Sequence, residues 1–282
     1  MAIERVGIVG SGIMGSGVAE VAAKAGCTVV LRSRSQAGAD QMVASLEKSL
    51  DRQVSKARIE EGDAAEIAKR VTAVAELDAL ADCDLVLESI VEDLAAKQHL
   101  FAELDRICKP EAILATNTST LPVVEMAMET RRPEQVCGIH FFNPATAMTL
   151  VEVVPAITTS DATLAAARQF VDRCGKTAVT VKDQAGFVVN ALLFPYLNNA
   201  VKLFENQVAS RDDIDTAMRG GCNFPMGPLE LLDLVGLDTS VAILDALYTE
   251  FRDPNYAAAP ALRRMVAAGR LGRKSGAGFY EY

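Results

Sequence analysis

Two residues able to move a proton stand in neighbouring apolar runs of this sequence. His140 ends a predicted strand over 136–141, inside Gly138-Ile139-His140-Phe141-Phe142-Asn143-Pro144. Glu152 sits in the middle of the next apolar run, 150–154. A carboxylate in an apolar strand loses its hydration unless it finds a partner, and a histidine N–H is such a partner. The pair would form a general base whose tautomer the carboxylate fixes. The alternative is a strand with one solvated face that leaves Glu152 outside. The flanking phenylalanines would keep water from His140, Asn143 can hydrogen-bond nearby and Pro144 stiffens the loop. The other histidine, His99, lies among Lys97, Gln98 and Leu100 in a helical pattern and reads as a surface or satisfied core residue. Asn117-Thr118-Ser119-Thr120 follows another predicted strand and offers several hydroxyls. Ser119 or Thr120 could equally cap the helix that Pro122 opens.

A second constellation binds rather than reacts. Val6 to Gly15 is a short apolar strand running into Gly10-Ser11-Gly12-Ile13-Met14-Gly15 and then a helical pattern. Strand, G-x-G-x-x-G and helix in register point to a dinucleotide site. Gly10 permits the tight turn, Gly12 lets a pyrophosphate approach the backbone, and Gly15 lets helix and strand pack closely. The N–H groups opening the helix then face the phosphates. The next strand, 28–31, ends in Arg32-Ser33-Arg34-Ser35, where an NAD site usually carries Asp or Glu for the ribose 2′-OH. Two guanidiniums suit a 2′-phosphate, so the expected cofactor is NADP in preference to NAD. The alternative is a solvated basic loop, with NAD held through the other contacts.

The elements needed to carry these residues are legible as an alternation. Strands are predicted over 5–10, 28–31, 71–74, 85–90, 112–116 and 136–141, with helical patterns between them, notably 12–24, 37–55 and 95–108. That alternation gives an α/β class with a Rossmann-type, mostly parallel sheet covered on both faces. Ligands bind such sheets beyond the carboxyl ends of the strands. Extended stretches over 150–154 and 178–181 flank a helix over 162–174. Past Lys182 the pattern turns helical: 188–204, 211–218, 228–235, 239–251 and 260–268. The expected division is a dinucleotide-binding domain over 1–183 and an all-α substrate and dimerisation domain over 184–282. The strongly apolar helix 188–204 needs covering on several sides, which so small a domain does not supply; a homodimer through this domain is the expectation.

Composition narrows the classes. With 282 residues the chain exceeds one ordinary domain, and 50% hydrophobic with 23% charged residues describes a globular protein. A net charge of −9 argues against a nucleic-acid surface. No apolar run approaches the ~20 residues that span a bilayer, so no membrane is expected. Met1 to Arg5 leads straight into the first predicted strand, so no targeting segment is expected. The 6 cysteines lack metal-like spacing and read as free buried thiols of a cytoplasmic protein; no metal site is expected.

Taken in order, the motifs closely resemble those of the 3-hydroxyacyl-CoA dehydrogenases, especially stand-alone bacterial 3-hydroxybutyryl-CoA dehydrogenases. They are the G-x-G-x-M-G loop, Asn117-Thr118-Ser119, His140-Phe141-Phe142-Asn143-Pro144, Gly186-Phe187-Val188-Val189-Asn190, Pro225-Met226-Gly227-Pro228, Gly236-Leu237-Asp238-Thr239 and Lys274 to Tyr280. The resemblance implies reversible oxidation of an (S)-3-hydroxyacyl-CoA, short-chain by the closest members, with a nicotinamide cofactor. It implies His140 as catalytic base, Glu152 as its orienting carboxylate, and Ser119 and Asn190 as active-site residues. It implies cofactor contacts at Glu92, Lys97, Asn117, Asn143 and Lys274, beside Gly10, Gly12, Ile13, Met14, Gly15, Arg32, Ser33 and Arg34. Ser49 and Lys56 match positions that touch the CoA moiety. Lys48, Arg52, Lys56 and Arg58 make that stretch basic within an acidic protein, as a CoA phosphate would require; the alternative is a solvated helix face. The chain departs from the family at Ser33, usually acidic, at Ala145-Thr146-Ala147-Met148, and at Ala191, where many members carry Arg. Alternatives are a dehydrogenase of free hydroxy acids, of L-gulonate type, or a dinucleotide-binding sensor without turnover.

Overall fold

The structure, a computed structural model, describes residues 2–282. The chain forms two compact units that meet between Asp183 and Gln184.

In the first unit, eight strands form one sheet: β1 (Arg5–Val9), β2 (Thr28–Arg32), β3 (Val71–Val74), β4 (Leu85–Glu88), β5 (Ile113–Thr116), β6 (Val136–Phe141), β7 (Leu150–Pro155) and β8 (Thr177–Thr180). Their order is β3-β2-β1-β4-β5-β6-β7-β8. All neighbours run parallel except β6 and β7, which are antiparallel. The helices are α1 (Ile13–Lys24), α2 (Gln36–Ser55), α3 (Glu61–Lys69), α4 (Leu94–Ile107), α5 (Val123–Ala127) and α6 (Asp161–Arg173). Strand order reverses between β1 and β4, which opens a crevice at their carboxyl ends. The central strands are buried on both faces, and Val6, Ile8, Leu85, Leu87, Ile113, Ala115 and Ile139 belong to one core. Apolar runs without alternation are what a doubly covered sheet requires.

Two local differences from the sequence expectation have physical causes. β4 stops at Glu88 rather than at residue 90. Ser89 N–H still reaches the Val9 carbonyl at 2.7 Å, but Ile90 N–H turns back to the Glu88 carboxylate at 2.8 Å. Helix α3 is absent from the expected elements; it is short, and its core-facing side consists of Ala64 and Ile67 with Ala68 partly buried beside them. Four cysteines, Cys27, Cys83, Cys108 and Cys137, are buried and free, while Cys222 is exposed. Burial pushes the Cys108 and Cys137 thiols up to about 12, which makes them inert.

The second unit consists of α7 (Val189–Glu205), α8 (Arg211–Cys222), α9 (Pro228–Val235), α10 (Leu237–Phe251) and α11 (Pro260–Ala267). Among the described residues it holds no strand, only isolated bridges around Ala277. Gly236 adopts φ +103, a backbone state that ends α9 and starts α10 without a break. Phe194, Leu197, Leu229, Leu232, Leu244, Leu247 and Phe279 form the core. Two buried carboxylates fasten it. Asp215 accepts from Leu229 N–H, Glu230 N–H and the Tyr280 hydroxyl. Asp233 accepts from Phe279 N–H and Tyr280 N–H, both at 2.8 Å.

Candidate active site

His140 and Glu152 are directly paired residues of β6 and β7, so the antiparallel register puts both side chains on one face of the sheet. His140 Nδ1 lies 2.8 Å from Glu152 Oε2. Their exposures are 6% and 1%, which excludes the solvated-strand alternative for Glu152. An ionised Glu152 accepts at Oε2 from Nδ1–H, and in that tautomer Nε2 is the basic nitrogen of the ring. Phe142 packs against the imidazole with ring centroids 4.5 Å apart. His99 lies on the surface of α4, 78% exposed and 3.8 Å from Glu103.

The loop after β5 stands beside this pair. Asn117 Oδ1 accepts from Phe141 N–H at 2.8 Å, clasping the ends of β5 and β6 together. Ser119 is half-buried, and its N–H donates to Glu92 Oε1 at 2.9 Å. Neither Ser119 nor Thr120 caps the following helix. α5 begins at Val123, and Asp183 accepts from Val123 N–H at 2.8 Å and Val124 N–H at 2.9 Å. A cap sixty residues away in the chain leaves no local signature. Burial raises the Asp183 carboxyl against the opposing pull of those two bonds.

Glu92, after β4, is partly exposed yet accepts from Thr118, Ser119 and Thr120 together. Burial pushes its carboxyl up, but Lys97 and the donors of the loop outweigh it and hold it below the ordinary carboxylate range. Lys97 is 1% exposed, paired with Glu88 and with Glu92 Oε2 at 3.3 Å. It stands behind Glu92 rather than on the surface. Glu88, Thr116 and Thr118 were not among the residues expected from sequence. The signal for Glu88 was present: it is a carboxylate closing an apolar strand, the same argument that singled out Glu152.

At the β1/β4 crevice a cleft of about 470 Å³ is lined by the glycine loop, Arg32, Ser33, Arg34 and Ser89 to Val91. Gly10 has φ +132, and a Cβ there would stand 2.3 Å from the Ser89 carbonyl oxygen. A Cβ on Gly15 would stand 2.1 Å from the Gly10 carbonyl oxygen. A Cβ on Gly12 would meet nothing within 4 Å. Protein packing therefore requires glycine at positions 10 and 15 but not at 12. Gly12 is also the N-cap of α1 and supplies no capping side chain, so the first N–H groups of that helix have no side-chain partner there. Ile13 is 78% exposed beside them and Met14 is half-buried. These features suit a dinucleotide pyrophosphate. Arg32 Nε donates to the Ala75 carbonyl at 3.0 Å, Ser33 is buried, and Arg34 is exposed.

A second groove of about 380 Å³ runs between α1, α2 and residues 144–146, lined by Ser16, Glu20, Gln41, Met42, Ser45 and Ser49. Ser49 donates to the buried Glu20 carboxylate at 2.7 Å. Lys56 is exposed at the end of α2, and Asn143 is exposed in the loop after β6. Asn190 and Lys274 belong to the second unit. There Asn190 is buried on α7, and Lys274 is exposed and 2.6 Å from Asp238 Oδ1.

Comparison with known proteins gives a consistent answer. Residues 5–184 match the model for the NAD binding domain of 3-hydroxyacyl-CoA dehydrogenase, and residues 186–282 match the model for its C-terminal domain. The chain is 45% identical over 287 residues to 3-hydroxybutyryl-CoA dehydrogenase of Mycobacterium tuberculosis, covering 100% of this chain and 99% of the relative. It is 44% identical over 278 residues to the protein of the same name from Clostridioides difficile, covering 99% of each. Among solved structures, (S)-3-hydroxybutyryl-CoA dehydrogenase from Ralstonia eutropha superposes with a TM-score of 0.97 at 42% identity, covering 100% of this chain and 99% of that one. A paired imidazole and carboxylate, a strand-end hydroxyl loop and a glycine-rich cleft thus lie within a sequence matched from end to end, and the chain belongs to the 3-hydroxyacyl-CoA dehydrogenase family.

Proposed function

We propose that this chain interconverts (S)-3-hydroxybutyryl-CoA, or a similarly short (S)-3-hydroxyacyl-CoA, with the 3-ketoacyl-CoA. The observation that carries the reading is the 2.8 Å bond from His140 to Glu152 at directly paired strand positions. His140 Nε2 takes the proton of the 3-hydroxyl during oxidation and returns it to the carbonyl oxygen during reduction. Glu152 stabilises the imidazolium, most strongly while the proton is in transit. The Ser119 hydroxyl orients the oxygen whose charge changes. Phe142 keeps the ring in dry surroundings. A bound nicotinamide dinucleotide supplies the acceptor or donor of the hydride at C3. The role of Asn190 rests on its place in the family motif.

The cofactor reading goes further than a nicotinamide. Arg34, exposed at the rim of the cleft, and Arg32 behind it favour a 2′-phosphate, so NADP is the preferred form and NAD the weaker one. The CoA reading rests on the groove beside α2, whose serine and glutamine lining suits an amide-bearing pantetheine arm, with Ser49 inside it and Lys56 offered to a phosphate. A second copy of the chain is the partner. In the second unit Leu192 is 73%, Leu234 50%, Val188 46% and Phe224 42% exposed around an apolar groove of about 630 Å³. A contiguous exposed apolar patch of this kind, shared by α7, α9 and the loop after α8, marks a recognition surface. The buried thiols suit a reducing compartment, the cytoplasm.

The test is the oxidation of NADPH and of NADH with acetoacetyl-CoA, set against free acetoacetate. Turnover of the thioester and little of the free acid is expected. Equal turnover of the free acid favours a hydroxy-acid enzyme, and nucleotide binding without turnover of either favours a sensor; each overturns the proposal.

A further inference from the structure

Glu88 closes β4 with 0% exposure. Oε1 accepts from Lys97 Nζ and from Ile90 N–H, and Oε2 accepts from the Thr116 hydroxyl at 2.8 Å. A carboxylate so enclosed needs every one of these donors. Two of them lead onward to the same place. While its hydroxyl hydrogen-bonds to Glu88, Thr116 Oγ1 accepts from Thr118 N–H at 3.0 Å. Lys97 reaches from Glu88 to Glu92 Oε2 at 3.3 Å. Glu92 Oε1 in turn accepts from Thr118 Oγ1 at 2.5 Å, Ser119 N–H at 2.9 Å and Thr120 N–H at 3.3 Å. One relay runs through a hydroxyl and one through an ammonium; both start at Glu88 and both end on residues 118–120.

We infer that Glu88, with Thr116, is a positioning residue that fixes Ser119 for the reaction. The inference rests on the role given above to Ser119. Its physical basis is the low-dielectric interior, where a polar network is stiff because any rearrangement leaves a charge uncompensated. Without the Glu88 charge, Lys97 has Glu92 as its sole anionic partner and draws that carboxylate away from the loop. Stability alone is a weak reason for the arrangement, since an apolar pair of similar volume holds a core as well as a buried ion pair does.

The test is a double-mutant cycle on kcat with Glu88→Gln, Ser119→Ala and the two combined. Glu88→Gln alone is expected to lower kcat about tenfold, in line with roughly 1.4 kcal/mol per decade. The combined variant is expected to be no slower than Ser119→Ala, because Glu88 acts through that residue. If the two losses multiply, Glu88 is structural only and the inference fails while the reading of Ser119 stands. If Ser119→Ala keeps full kcat, that reading falls and the inference with it. Should Glu88→Gln not fold, Thr116→Val and Thr116→Ser decide the matter. Loss of kcat in the valine variant with rescue by serine supports the relay, and full activity in the valine variant overturns it.

Discussion

Glu152 and His140 face each other across the single antiparallel pairing of the sheet, Oε2 to Nδ1 at 2.8 Å. On the proposed mechanism His140→Gln removes the proton acceptor and should lower kcat by about 10²–10⁴-fold, the usual worth of a general base. Glu152→Gln keeps the shape but not the charge and should lose kcat with little change in substrate KM. Cofactor titration by nucleotide fluorescence should be unchanged in both. Near-normal turnover in His140→Gln would remove that residue from the role.

The glycines separate folding from binding. Gly15→Ala drives a Cβ to 2.1 Å from a carbonyl oxygen and should lower the melting temperature sharply. Gly12→Ala enters open space and should leave melting unchanged while raising the cofactor Kd by tenfold or more, about 1.4 kcal/mol. Equal cofactor affinity in Gly12→Ala would mean that the phosphates do not approach there.

Arg34→Ala should lower kcat/KM for NADPH by roughly 10- to 100-fold, the worth of a charge-assisted hydrogen bond. The value for NADH should move less than about threefold. A parallel loss with both cofactors, or a wild-type preference for NADH, defeats the 2′-phosphate reading.

On the second unit, Leu192→Glu places a charge in the exposed apolar groove. Light scattering should show a dimer for the parent chain and a monomer for the variant, with helical content retained. A parent chain that is monomeric at micromolar concentration rules out this surface as a self-association site.

Asp105 illustrates the expected acid sensitivity. Burial pushes its carboxyl up, but hydrogen bonds from Arg131 Nε and Arg132 Nε, both 2.8 Å, outweigh this and hold it below the ordinary value of 3.8. A carboxylate whose pKa is lowered by folding contributes stability that is complete above its unfolded pKa and lost as pH falls through the folded one. Asp105→Asn should therefore melt lower than the parent at pH 7, and the gap should close as pH drops below about 3.8. A gap independent of pH would show that the charge is not what matters.

How far the sequence could be read depended on the range of each interaction. The strand runs were visible because doubly buried strands are continuously apolar. Glu152 stood out as a lone charge in such a run. The connection between His140 and Glu152 also held an unused clue, since only an antiparallel partner can return after so short a link. Glu88 had the same signature as Glu152, a lone charge inside the predicted run 85–90, but its partners Lys97 and Thr116 lie on other segments and no local pattern pairs them with it. The capping of α5 by Asp183 and the convergence of residues 118–120 on Glu92 are contacts between distant segments, and no local pattern encodes them. The helix α3 escapes notice because its core-facing side is short and made mostly of alanine: Ala64, Ile67 and Ala68.

The pairing of β6 with β7 has an evolutionary corollary. Because the directly paired positions of β6 and β7 set the spacing of His140 and Glu152, residues 147–149 of the turn can change composition and leave that pairing intact. Insertion of one residue inside either strand would instead rotate every later side chain to the opposite face and silence the enzyme at a stroke. New substrate preferences in such a lineage should therefore arise by editing the turn, while the ladder beside it tolerates almost no change in length.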